Sequence, residues 1–326
     1  AGTTAWTATN GDTTFDAVVS PVVPGSVADK AQTAVVTDLN ANSADVNDTV
    51  TYTKVGSLVP SSSDGHFPGA RPVVYPNDPS DATKVTPAGV PTVPGYTAHD
   101  PEGHVLTPGS SYQPSDPTKD TTITYTADQQ EGSVSYVDDT TEKTLKTDSI
   151  SGTTGSKSSY STSGSIADYK KQGYELVTDG YPADLTFDND DTTDQNFTVH
   201  LKHQLTPVNP TDPQTPGAPI NPDEPDGPKW PTSTNYDKTV NETVSYVDQN
   251  GHLVAKQHTD SVNFTRTVVV DNVTGEVITS GAGTTAWTAT NGDTTFDAVV
   301  SPVVPGSVAD NCLLYTSPSP RDGATS

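Results

Sequence analysis

Short runs of alternating apolar and polar residues recur along this chain and mark it as a sequence of β-strands. The five residues VSYVD occur at 134–138 and again at 244–248. Turn residues follow each run, Asp139-Thr140-Thr141 in the first case and Gln249-Asn250-Gly251 in the second. Asn-Gly after an alternating run is a strong hairpin signal, because both positions tolerate positive φ. Both runs are therefore expected to be first strands of related domains. Closing strands are expected at 50–53, 123–126 and 197–201, where Thr alternates with Val, Tyr or Phe, as suits a sheet with one wet face. The spacing predicts a short helix over 165–174, with Ser165 as N-cap, Lys170 and Lys171 in the last turn and Gly173 as C-cap. Strand, strand, helix, strand is a β-grasp-like order.

Proline divides the rest. Residues 60–130 carry turn signals at 75–79 and 93–96 and too much proline for central strands, so a small irregular β module is expected. The 205–236 stretch is richer still and reads as an extended, semi-rigid linker of ~3.1 Å per residue. The expected class is mainly β or α+β, an elongated string of small domains.

Residues 1–29 return without one change at 282–310. Identity of that length, surface positions included, means an array whose unit runs from 1 to 281. The unit is opened inside a domain: 1–59 is read as the C-terminal part of one domain and 237–310 as the N-terminal part of the next. Either 1–59 or 282–310 is expected to pack on 238–281, leaving the other copy poorly packed. Beyond 310 the copies diverge. The string CLLYTSPSPRD at 312–322 resembles the translation of a sequencing adaptor, so 311–326 is set aside as an artefact.

Setting that tail aside removes Cys312, the only cysteine, and with it disulfides and thiol nucleophiles. The net charge is −25, from 41 acidic and 16 basic residues. That excludes phosphate-dominated nucleic-acid binding and electrostatic attachment to anionic membranes. Apolar residues make up 31%, below the ~45–50% of an ordinary globular domain, yet the strand pattern argues against disorder. No apolar run approaches the ~18 residues of a membrane span. No nucleophile elbow, phosphate loop or dinucleotide fingerprint occurs, so no catalytic residue is expected and the chain reads as a non-enzyme.

Two kinds of binding chemistry stand out. Asp188, Asp190, Asp191 and Asp194 offer the oxygen ligands of a weak calcium site, although the EF-hand spacing is missing and a solvated turn is the simpler reading. No other cofactor is expected. His200 and His203 are three apart, so in a strand they face opposite ways and cannot ligate together. Among the aromatics, Tyr136, Tyr174 and Tyr246 suit a small core. Tyr181, in a Gly-Tyr-Pro turn, is the first choice for contact with a sugar ring, with Tyr169 and Trp230 beside it. Local packing is the competing reading for Trp230.

Particular runs carry a resemblance. The 131–204 block resembles a MucBP (mucin-binding protein) domain through VSYVDDTTEKTL at 134–145, the 148–152 run and YKKQGYELV at 169–177. The region from 238 across the repeat boundary to 60 resembles the partner domain of Lactobacillus-type mucus-binding repeats. Its matching runs are TVNETVSYVDQNGHLV at 239–254, NFTRTVVVDNVTGEV at 263–277 and FDAVVSPVVPG at 296–306. Residues 75–100 resemble the small domain between those two. Pro24-Gly25 departs from the pattern, being followed by Ser26 rather than an aromatic. The resemblance implies β-grasp (ubiquitin-like) domains of a Gram-positive surface adhesin, extracellular and cell-wall anchored, with the anchor outside this fragment. It implies mucin glycoproteins and other host glycans as partners, and immunoglobulin for some members. Repetition suggests weak sites multiplied by avidity, which raises binding ~10²–10⁴-fold. A stalk that merely projects another domain is the alternative.

Overall fold

The computed structural model describes residues 2–310 and the backbone of the two-residue strand Leu313–Leu314. The remainder of the 311–326 tail lies outside the described residues. The chain forms two compact units, Ala1–Ser133 with Ser149–Tyr160 and Pro182–Asn196, and Val134–Asp148 with Ser161–Tyr181 and Phe197–Ser326. Strands in small sheets, one α-helix and a 3₁₀ turn at Ser233–Asn235 make up the regular structure of the described residues.

The first unit centres on a five-stranded sheet in the order Val73–Val74, Ser57–Ser61, Thr121–Ala127, Tyr96–His99, Val105–Leu106. Ser57–Ser61 runs parallel to Thr121–Ala127, and the other pairs are antiparallel. Thr121–Ala127 behaves as its alternation demands: Ile123 and Tyr125 are buried while Thr122, Thr124 and Thr126 face out. They meet Leu58, Tyr75, Val90, Val93 and Tyr96 in one core. Proline is accommodated in an inner strand after all. Pro60 pairs with Ile123, but Val73–Val74 reaches only Ser57 and Leu58, so no neighbour on that side calls for its missing N–H.

A four-stranded sheet follows, ordered Lys143–Thr153, Gln129–Asp138, Gln195–His203, Tyr174–Asp179. Its inner strands run the same way, since the Asp139 amide donates to Leu201 (2.7 Å) and the His203 amide to the Thr140 hydroxyl (2.9 Å). The helix Ser163–Lys171 links the two hairpins. Its N-cap is Thr162, three residues before the expected Ser165. The Thr162 hydroxyl is taken by Asp179 (2.6 Å), and the expected cap, Ser165, instead accepts from Lys146 (2.6 Å). Gly173 ends it at φ 99°, where a Cβ would stand 2.5 Å from the Asn272 carbonyl oxygen.

The 205–236 segment is not an extended spacer. Leu205–Val208 pairs with Val268–Asp271, whose other edge carries Val277–Ile278. Val208, Val268, Val270 and Tyr236 form a core onto which Ile220 and Trp230 fold. The prolines between them shape turns, one held by the Trp230 amide donating to Ala218 (2.9 Å). The apolar partner strand, Val268–Asp271, outweighs the extended preference of proline.

The long hairpin Asp237–Val247 with Leu253–Thr265 closes through Asn250-Gly251, as expected, with Gly251 at φ 81°. Thr288–Ala289 adds a third strand. The second copy is the one that packs on the 237–265 hairpin, through Trp287 and Phe296, whereas Trp6 and Phe15 of the first copy are exposed. In the first copy Val27 and Ala28 are buried, and Ser26–Ala28 pairs with Tyr52–Lys54. In the second, Trp287 and Phe296 are buried instead.

A recurring local device supports this thin-cored chain. Asp or Asn followed two residues later by Ser or Thr accepts both the amide and the hydroxyl of that residue. It occurs at Asp78–Ser80, Asp81–Thr83, Asp116–Thr118, Asp190–Thr192 and Asn209–Thr211. Part of the Asp and Thr in the composition is thus turn staple.

Candidate functional site

The helix Ser163–Lys171 sets Tyr169 half-buried between Tyr136 and Tyr174, with ring centroids 5.7 and 5.6 Å away. Tyr136 and Tyr174 are core, as expected, whereas Tyr246 is only half-buried. Burial pushes the Tyr169 and Tyr174 phenols above their ordinary range. Lys146 lies 4.9 Å from the Tyr136 ring centroid, a cation over an aromatic face. Tyr181 belongs to a different cluster. It is half-buried and meets Phe197 edge-on at 5.5 Å, its amide held by Asp179 (3.0 Å). Trp230 is half-buried against Val208 and Tyr236. The three candidate sugar-contact residues thus lie in three separate aromatic or apolar clusters.

Three of the four carboxylates considered for calcium accept hydrogen bonds from neighbouring groups. Asp188 accepts the Asp190 amide (3.1 Å), Asp190 accepts Thr192, and Asp191 accepts from the Gln130 amide group (2.6 Å). Asp194 is exposed. The hydrogen bonds from Thr192 hold the Asp190 carboxyl below its usual range. A cluster of three ligand-type groups within 4.8 Å of one another occurs elsewhere, at Asp100, Glu102 and His104 on an exposed turn.

Asp191 has a second neighbour that pattern reading did not single out. Asp128 lies near it, and burial, together with the Asp191 carboxyl, pushes the Asp128 pKa up, against the Thr97 hydroxyl that donates to it. The pair edges a cavity of about 210 Å³ walled by Val90, Pro91, Tyr96, Leu106 and Pro108. Carboxylates beside an apolar wall suit a sugar, whose hydroxyls donate to acids while its C–H faces pack on carbon.

The strongest electrostatic feature is His203. It is buried, with Nε2 2.7 Å from Asp138 and Nδ1 2.7 Å from Asp271. Burial alone would depress the imidazolium, but the hydrogen bonds to Asp271 and Asp138 outweigh it, and the pKa stands above its ordinary 6.5. Burial would likewise raise Asp138. Hydrogen bonds from Thr141, His203 and Thr140 reverse that and hold it low. His200 points the other way, onto Asp139 at 2.8 Å, as the strand alternation requires. Consecutive aspartates thus serve histidines on opposite faces. Asp138 ends VSYVD and Asp271 ends VVVD, a signal visible in the sequence once the strands are known. The imidazole touches only structural groups, so it acts as a clamp between sheets. No helix of the described residues is long and apolar enough to cross a membrane.

Comparison with known proteins finds two domain models in this chain. A family model described as "Mucin binding domain" matches 130–203, and one described as "Muc B2-like domain" matches 1–56 and 231–313. No curated protein gives a significant match. Among solved structures, the type 2 repeat of the mucus binding protein MUB from Lactobacillus reuteri is 33% identical. The match covers 58% of this chain and 90% of that one, with a TM-score of 0.39. Mub-RV is also 33% identical, over 57% of this chain and 88% of that one, with a TM-score of 0.41. These families consist of binding repeats rather than enzymes. With both domain types matched over most of its length, this chain belongs to the mucus-binding (Mub/MucBP) repeat family.

Proposed function

We propose that the chain is a mucus-adhesion module of a bacterial surface protein, taking mucin glycoproteins and related host glycans as partners. The match of both a mucin-binding and a Muc B2-like domain within one chain carries this reading. The units work as small β domains of β-grasp type, presented outside the cell on a wall-anchored array, with 60–130 between the two domain types. Tyr181 is the first contact residue, with Tyr169 and Trp230 as secondary ones. Each is half-buried, so one ring edge stays open to a sugar while the other is fixed. Individual contacts are weak and the array multiplies them.

The test is retention on immobilised mucin. This chain should be held feebly and a tandem of two units much more strongly at equal mass, and Tyr181→Ala should weaken both. Equal retention of one and two units removes the avidity mechanism. No retention of either leaves the spacer role. Immobilised immunoglobulin, run in parallel, separates that partner from glycan.

A further inference from the structure

Residues 57–129 lie outside both matched domain models, and this module carries most of the lining of the cavity of about 210 Å³ in the first unit. Val90, Pro91, Leu106 and Pro108 give it an apolar wall, and Asp128 and Asp191 line it as well. Both carboxylates are held in place. The Gln130 amide group donates to Asp191 (2.6 Å), and the Thr97 hydroxyl donates to Asp128. Gln130 is buried and also donates to Thr154 (3.1 Å), whose hydroxyl donates to the Gly95 carbonyl (2.9 Å). The Asp128 amide donates to the same carbonyl (2.8 Å). Each carboxylate keeps acceptor capacity beyond these bonds, since an ionised carboxyl offers about four lone-pair sites. One wall residue carries an unmet donor. Tyr96 is 8% exposed, and its phenol oxygen has no hydrogen-bond partner among the described residues. An unpaired buried hydroxyl is unfavourable, and a ligand that accepts from it relieves the cost.

We propose that this cavity is a subsite for one uncharged pyranose ring, bound through Tyr96, Asp128 and Asp191. The apolar wall takes the C–H face of the ring. The two carboxylates accept from ring hydroxyls, and the Tyr96 phenol donates to a sugar oxygen. The volume sets the length of the ligand. Sites for larger ligands begin at ~300 Å³, so this cavity admits a single terminal sugar. The charge sets its class. A sialylated or sulfated ring brings its anion against two acids in a chain of net charge −25, whereas a neutral ring meets only acceptors for its hydroxyls. Resting on the glycan-adhesion reading, this subsite shares no residue with the contacts at Tyr181, Tyr169 and Trp230.

Methyl NMR of the whole chain, titrated with galactose, mannose or N-acetylglucosamine through the millimolar range, tests this. At least one of these sugars should shift the Val90, Val93 and Leu106 methyl signals saturably, and N-acetylneuraminate should not. Tyr96→Phe keeps the ring and removes only the unpaired hydroxyl. It should weaken binding about fivefold without lowering the thermal transition. Asp191→Ala, at an exposed position, should weaken binding by a similar factor. Shifts that neither substitution weakens overturn the proposal, as does equal binding of N-acetylneuraminate. A lowered thermal transition in Tyr96→Phe also overturns it, because the hydroxyl is then satisfied inside the protein. Retention on immobilised mucin separates the two readings. Retention without any methyl shift overturns this subsite alone, and absence of both overturns the adhesion reading with it.

Discussion

His203 Nδ1 lies 2.7 Å from a carboxylate oxygen of Asp271, and its other ring nitrogen is equally close to Asp138. The imidazolium therefore joins the end of the 129–138 strand to the 268–271 strand within the second unit. Both carboxylates are largely shielded, with side-chain exposures of 2% for Asp138 and 10% for Asp271. Removing the cation leaves two desolvated acids facing one another. His203→Ala is expected to cost ~3–5 kcal/mol in urea unfolding. Asp271→Asn should cost less and lower the His203 pKa, read by imidazole NMR titration.

The same clamp sets a pH window. His203 has a folded pKa above 6.5, so its contribution is complete below 6.5 and is lost as pH rises through the raised value. Asp138 has a folded pKa below 3.8, so its contribution is present above 3.8 and is lost as pH falls through the lowered value. The stability difference between wild type and His203→Gln should peak between pH 3.8 and 6.5 and shrink on either side. A difference that grows above neutrality contradicts the assignment.

Trp6 and Trp287 offer a comparison at constant local sequence. Trp287→Ala should destabilise by ~3–5 kcal/mol, as for a buried tryptophan. Trp6→Ala should change stability by less than ~0.5 kcal/mol. Thermal unfolding of the two variants measures both.

Charge repulsion between an acidic chain and anionic mucin should weaken as carboxylates protonate, so retention on mucin should increase with acidity. Hydrogen bonds from Ser80, Thr83, Thr118 and Thr192 hold Asp78, Asp81, Asp116 and Asp190 below the usual range, so these four protonate late. Retention measured from pH 7 to 3 should rise as the pH falls through the carboxylate range; a flat profile contradicts the charge argument.

Those turn staples use both an acceptor oxygen and its charge. Asp116→Asn keeps an oxygen that accepts from Thr118 and should lower the thermal transition only slightly, through the lost charge. Asp116→Ala should lower it further.

Much of the fold is legible from neighbours along the chain. The strand Thr121–Ala127 buries Ile123 and Tyr125 because alternation assigns faces, and Asn250-Gly251 closes its hairpin because its backbone preference is local. The helix is capped at Thr162, three residues ahead of Ser165, where Asp179, distant in sequence, takes the Thr162 hydroxyl and Lys146 takes Ser165. The 205–236 segment was misjudged for the same kind of reason: its fold depends on Val268 and Val270. The Asp128–Asp191 pair was invisible because the two acids lie far apart in the sequence.

The two copies of 1–29 separate these contributions most clearly. Their shared residues specify the same turns, with glycines 11 and 292 both at positive φ and the Asp-Thr staple formed after each. They cannot specify whether the tryptophan is buried, because identical sequence yields 87% exposure at Trp6 and 5% at Trp287. Periodicity and turn chemistry report which face a residue presents. What comes to lie against that face, whether Lys238 and Arg266 on Trp287 or Asp138 and Asp271 on His203, is set by parts of the chain that meet only on folding, where burial rather than local preference dominates the free energy.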